Sequence, residues 1–107
     1  QTGAADIHIS PNGLFLYTTN RGDANDISVF SINQENGELT FIERKPSGGK
    51  GPRNFIIDPT GKFLIVAHQN SDNITVWRLD ETTGKIMQAV TRIEVGNPVC
   101  LQFAPAL

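Results

Sequence analysis

The chain repeats itself. The segments IHISPNGLFLYTTN and FIIDPTGKFLIVAH align without a gap, which pairs Pro11 with Pro59, Gly13 with Gly61, Phe15 with Phe63 and Leu16 with Leu64, each 48 residues apart. Past the next loop the spacing is 47, matching Ile27 with Ile74, Val29 with Val76, Phe30 with Trp77 and Gly37 with Gly84. A third copy opens near the end, where NPVCLQFAP aligns with GPRNFIIDP at a spacing of 46. A period of about 40–50 residues built from short strands is that of a β-propeller blade, a unit that buries its apolar faces only against its neighbours.

The strands within each copy can be read directly. Ile7-His8-Ile9 and Phe55-Ile56-Ile57 lead into the turns Ser10-Pro11-Asn12-Gly13 and Asp58-Pro59-Thr60-Gly61. In these turns proline presets one φ and glycine accepts a positive one. Residues 15–19 and 63–67 are near-continuous apolar and β-branched runs, as buried sheet strands are. Residues 27–32 and 74–79 alternate, and after the polar loops 33–37 and 80–84 a more polar fourth strand follows at 38–44 and 85–92. No segment carries a capped 3.6-residue periodicity. The expectation is therefore all-β: a β-propeller fragment in a single partial domain. It comprises a four-stranded antiparallel blade over 5–45, a second over 52–95, and the innermost strand of a closing blade over 98–107. Propellers have at least about four blades, so the chain is expected to be the C-terminal piece of a longer one, with the remaining blades of the same protein as its obligatory partners.

Composition excludes several classes of function. Nine Lys+Arg against eleven Asp+Glu give a net charge of −2 over 107 residues, with no basic excess for nucleic acid and no polybasic run for anionic lipid. No apolar run approaches the roughly 20 residues that span a bilayer. The single cysteine, Cys100, excludes an internal disulfide and fits a reducing, cytoplasmic setting. The chain begins Gln1-Thr2-Gly3 without a signal-peptide pattern.

Antiparallel order puts the loops after the second strands and the crossings between blades on one face, the mouth of the channel. The Pro-Gly turns and the loops carrying Asn12, Glu35, Lys62 and Thr82 then lie on the other face. Asp6 and His8, two apart on one side of an innermost strand, fall at the mouth. So do Asn20 and Arg21, their counterparts His68 and Gln69, and Arg53 and Asn54. Cys100 takes the matching place in the third copy, where a packed thiol is the simpler reading. Arg21 begins the tripeptide Arg-Gly-Asp, but its place at the mouth groups it with Arg53 and His8 and points to a small anion rather than to adhesion. The run Ser47-Gly48-Gly49-Lys50-Gly51 lacks the spacing of a phosphate-binding P-loop and reads as a flexible crossing or ligand flap. Asn73-Ile74-Thr75 is a glycosylation sequon by pattern only. An imidazole suits proton transfer near neutral pH, and guanidinium groups grip phosphate or carboxylate bidentately.

ADIHISPNGLFLYTTNRG, GGKGPRNFIIDPTGKFLIVAHQNSDNITVWRLDETTG and VGNPVCLQFAP resemble the C-terminal blades of the lactonase-type seven-bladed propellers, among them the propeller 6-phosphogluconolactonases and the carboxymuconate-lactonizing enzyme. The resemblance covers nearly the whole chain and is most specific at Ala5-Asp6-Ile7-His8, Asn20-Arg21, Pro52-Arg53 and Gln69. It implies seven blades in the intact chain and hydrolysis of a sugar lactone such as 6-phosphogluconolactone, without an obligatory metal or other cofactor. Carried over by position, His8 is the expected catalytic residue, and Arg21, Arg53 and Gln69 are the expected binders of the anionic sugar-lactone substrate; Asp6 and Asn54, placed beside them at the mouth, are further substrate-binding candidates. Asp6 or Asn54 would orient the histidine or a sugar hydroxyl. The missing blades would supply the rest of the site, so the fragment alone is expected to be inactive. Two alternatives stand beside this reading: a non-catalytic binding propeller of scaffold or surface-layer type, and a muconate-type lactonizing isomerase.

Overall fold

A computed structural model describes residues 3–21, 25–68, 71 and 73–94, with residues 3–5, Arg21 and Arg53 described through their backbone. Two four-stranded antiparallel sheets follow each other in simple up-and-down order. The first contains β1 (Gly3–Ile9), β2 (Phe15–Arg21), β3 (Asp26–Ile32) and β4 (Leu39–Pro46). The second contains β5 (Pro52–Ile57), β6 (Phe63–His68), β7 (Asn73–Leu79) and β8 (Ile86–Glu94). The two blades expected from the repeat are thus present. The strand expected at 98–107, together with Gln69 and Cys100, lies outside the described residues.

The turns explain why the repeat signature is where it is. Gly13 N–H donates to Ser10 O at 2.9 Å, and Gly61 N–H donates to Asp58 O at the same distance. Both glycines sit at φ near +77°, a region that residues with a Cβ rarely enter. The side chain at the first turn position closes the same loop. Ser10 Oγ accepts from Phe15 N–H at 3.1 Å, and Asp58 Oδ1 accepts from Lys62 and Phe63 N–H at 2.8 Å. These local bonds set the register of β1 on β2 and of β5 on β6, with Ile9 opposite Leu16 and Ile57 opposite Leu64.

The core is the seam between the two blades. Phe15, Tyr17, Ile27 and Val29 of the first blade and Phe55, Leu64, Val66, Leu79 and Ile86 of the second form one buried cluster. Among the long-range hydrogen bonds that cross this seam are two beside the start of β8. Tyr17 Oη–H donates to Gly84 O at 2.7 Å, and Ile86 N–H donates to Glu43 Oε2 at the same distance. Burial raises the Tyr17 phenol well above its usual value, and the negative charges of Glu43 and Asp80 push the same way. Tyr17 is therefore a neutral tie between blades.

The repeat also explains which apolar residues remain exposed. Phe55 and Leu64 are fully buried, whereas their first-blade equivalents Ile7 and Leu16 are not, with Ile7 56% and Ile9 57% exposed. The face carrying Ile7, Ile9, Leu16 and Phe30 is the counterpart of the one by which the second blade packs on the first.

The near-alternation expected along residues 27–32 breaks down in burial at the mouth end. Asp26, Ile27, Ser28 and Val29 are all buried in succession. Asn20 Nδ2 donates to Asp26 Oδ1 at 2.8 Å and to Ser28 Oγ at 3.3 Å, so the polar face is closed by its own hydrogen bonds. Strands β1 and β5 are longer than expected because they continue back toward the mouth through matching irregularities. One lies between Ala4 and Asp6, the other between Pro52 and Asn54.

Candidate active site at the mouth of the blades

The irregularity in β1 leaves Ala5 without a partner and pairs Asp6 with Thr19 and His8 with Tyr17. Thr19 and Tyr17 are buried in the seam, so Asp6 and His8 lie on the seam face of β1, as their two-residue spacing predicts. Asp6 is hydrogen-bonded through both oxygens. Oδ1 accepts from Ile7 N–H at 3.0 Å. Oδ2 faces His8 Nε2 at 3.1 Å and accepts from Asn54 Nδ2 and Phe55 N–H, each at 3.2 Å. The His8 ring stands edge-to-face on Phe55, with centroids 4.7 Å apart and planes at 79°. His8 is still 38% exposed in its side chain, against 23% for Asp6. The result is a histidine held by a carboxylate on one side and an aromatic ring on another, and open to solvent.

Of the residues expected at the site, Asp6, His8 and Asn54 come together. Arg21 ends β2 opposite Gly3, so it belongs to a strand rather than to the loop that follows. Arg53 takes the unpaired place in β5 that Ala5 takes in β1. Gln69 is outside the described residues. One signal in the sequence would have singled out His8 more sharply. Its repeat equivalent is Ile56, as Asp6 has Asn54, so an ionisable pair replaces what the second blade fills with an amide and an apolar chain.

The glycine-rich crossing at 47–51, expected to be a flexible crossing or ligand flap, is held by several hydrogen bonds. Ser47 is fully buried, and its Oγ donates to Asn25 O at 2.9 Å and meets His68 Nε2 at 2.9 Å. Trp77 Nε1–H donates to Ser47 O at 3.0 Å, and Asn73 Nδ2 donates to Gly48 O at 3.2 Å. A Cβ on Gly49 would stand 2.6 Å from atoms of Asn73, His68 and Ser71, so the glycine is needed for close approach rather than for mobility. Asn73 itself is fully buried, which removes the sequon as a modification site.

His68 is buried with the crossing. Burial pushes its pKa below the usual 6.5, hydrogen bonding around Asn73 and Ser47 opposes that shift, and the charge of Arg92 adds to it. The folded protein thus holds a neutral imidazole that the unfolded chain would protonate. Its contribution to stability is complete above about pH 6.5 and is lost as the pH falls from there toward the depressed folded value. Unfolding midpoints of the full-length protein should therefore drop between pH 7 and 5. The drop should shrink in His68→Gln, which keeps a donor for Ser47 but does not titrate. Identical pH profiles for the two proteins would contradict a buried neutral His68.

The opposite face carries exposed Asn12, Glu35, Lys62 and Thr82, as expected. It also holds a cavity of about 250 Å³ lined by Ser10, Asn12, Tyr17, Thr60, Asp80 and Glu81. The two carboxylates make it unsuited to an anionic ligand.

Comparison with known proteins agrees with this architecture. The profile of a family described as "Lactonase, 7-bladed beta-propeller" matches residues 1–103. The chain is 50% identical over 101 residues to a 6-phosphogluconolactonase of Formosa agariphila, covering 94% of this chain and 29% of that protein. It is 38% identical over 97 residues to a 6-phosphogluconolactonase of Bacillus subtilis, covering 91% of this chain and 28% of that one. Among solved structures, the Pseudomonas aeruginosa periplasmic gluconolactonase superposes with a TM-score of 0.95 at 38% identity, covering 98% of this chain and 29% of that one. The chain thus spans under a third of the length of these relatives.

Proposed function

The chain belongs to the lactonase seven-bladed β-propeller family, and we propose that it forms part of a sugar-lactone hydrolase acting on 6-phosphogluconolactone or a close analogue. The observation that carries the proposal is the half-exposed His8, held at the mouth by Asp6 and by the Phe55 ring. Lactone hydrolysis requires a water deprotonated as it attacks the carbonyl carbon. The tetrahedral oxyanion then collapses with cleavage of the ring C–O bond, and the departing ring oxygen takes up a proton. An imidazole near neutral pH can do both proton transfers in turn. His8 accepts the proton of the attacking water and returns it to the ring oxygen. Arg21, Arg53 and Gln69 bind the substrate, with the guanidinium groups gripping its phosphate. The other blades of the intact protein complete the site.

The test is hydrolysis by the full-length protein of 6-phosphogluconolactone beside a panel of unphosphorylated lactones, followed by acid release. Preference for the phosphorylated lactone is the expected result. Hydrolysis of unphosphorylated lactones alone would remove the phosphate from the proposal. Failure to hydrolyse any lactone would leave a non-catalytic binding propeller.

A further inference from the structure

We propose that Asp6 is a positioning residue that fixes the tautomer of His8 and does so from across the blade seam, an inference that rests on the role of His8 proposed above. An ionised carboxylate only accepts hydrogen bonds. The 3.1 Å contact between Asp6 Oδ2 and His8 Nε2 therefore requires the proton to sit on Nε2. In the neutral ring this leaves Nδ1 as the unprotonated, proton-accepting nitrogen. Among the described residues, Nδ1 of His8 has no hydrogen-bond partner. The structure thus assigns the base function to one atom.

What holds the carboxylate is equally specific. Two of the donors to Oδ2, Asn54 Nδ2 and Phe55 N–H, belong to the second blade. Asn54 is also the repeat equivalent of Asp6, displaced by 48 residues. Each innermost strand offers a polar side chain just after its irregularity, and here the one from the first blade accepts from the one in the next. Asp6 is therefore fixed by blade packing, and the aim of His8 depends on the register between blades. The ring of Phe55 completes the clamp, since the residue whose N–H fixes Asp6 also carries the ring against which His8 rests. Two contacts, the Asp6 carboxylate on its own strand and the Phe55 ring from the neighbouring blade, restrict the imidazole to one orientation. A substitution in the seam distant from any substrate can then alter proton transfer.

The experiment is ¹⁵N NMR of the labelled full-length protein, combined with kinetics on whichever lactone it hydrolyses. In the wild type at a pH where His8 is neutral, Nε2 should appear as the protonated nitrogen and Nδ1 as the bare one. In Asp6→Asn, whose amide can donate to Nε2, the opposite tautomer should gain population, and kcat should fall about 30-fold with KM changed less than about twofold. A purely structural Asp6 would instead lower the unfolding midpoint and leave tautomer and kcat alone, which would overturn the proposal. So would a wild-type His8 protonated on Nδ1, a measurement that decides the matter even if Asp6→Asn does not fold. The role of His8 is separable. Full activity in a His8 variant removes the base, whereas the wild-type spectrum reports on Asp6 in either case.

Discussion

Replacing His8 with Ala in the full-length protein should lower kcat for lactone hydrolysis by at least about 10²-fold, the usual contribution of a positioned general base. The fold should survive the change. His8 is 38% exposed in its side chain, so truncation opens no sealed cavity, and Asp6 Oδ2 keeps its bonds from Asn54 and Phe55. The stability cost should be about 1 kcal/mol, from the lost edge-to-face contact and one hydrogen bond. Turnover should fall while KM stays near its wild-type value, because the proton transfer belongs to the transition state and the anion contacts belong to other residues. Activity lost at His8→Ala should return in part when a small imidazole is supplied in solution. Unchanged turnover would exclude His8 as the base and move the chemistry to the other blades.

Phe55→Ala should be the most damaging single change in the seam, destabilising the full-length protein by about 3–5 kcal/mol as judged by its unfolding midpoint. Phe55 is fully buried in the cluster that joins the two blades. Removing the ring leaves a cavity bordered by both sheets, and a strand whose hydrogen bonds already set the register relaxes little to fill it. Phe55→Leu retains most of the volume and should cost less than about 1.5 kcal/mol. It nevertheless lacks the ring edge on which His8 rests. Phe55→Leu should then reduce kcat more than its small stability loss accounts for, which a cavity effect alone does not do. A cost below about 1 kcal/mol for Phe55→Ala would mean that the seam is not packed as described.

The blade architecture was legible in the sequence for a physical reason. A Pro-Gly turn with φ near +77° tolerates few residues, and the middle strands, which bury Phe15 and Tyr17 in one blade and Leu64 and Val66 in the other, demand apolar side chains at a fixed distance from it. Those constraints are local and recur at each blade, so they appear as a 47–48-residue repeat. The family resemblance followed from the same segments together with the mouth residues. Strand ends were less legible. β1 and β5 run further toward the mouth than their apolar cores indicate, because irregularities at Ala5 and Arg53 absorb one residue in each. The ties of the crossing at 47–51 are illegible for a related reason. Three glycines look mobile in a sequence, yet Gly48 and Gly49 let the backbone lie against Thr75, Asn73 and His68, and Asn73 and Thr75 donate hydrogen bonds to Gly48 O.

The blade repeat, the all-β class, the family and the placing of Asp6 and His8 on one side of an innermost strand are all written in the linear order of residues. Each of these follows from spacing along a single strand or from a turn that closes on itself. Which groups Asp6 meets emerges only from the folded arrangement. Its partners Asn54 and Phe55 lie 48 and 49 residues away, on another sheet. The same holds for Tyr17, an apolar strand residue by pattern, which proves to tie the blades through Gly84, 67 residues distant. Contacts between blades depend on how two sheets stack, and no local rule of turn or alternation specifies which polar atoms will then face each other. The orientation of His8, on which the proposed chemistry depends, is therefore a property of the seam rather than of the strand that carries it.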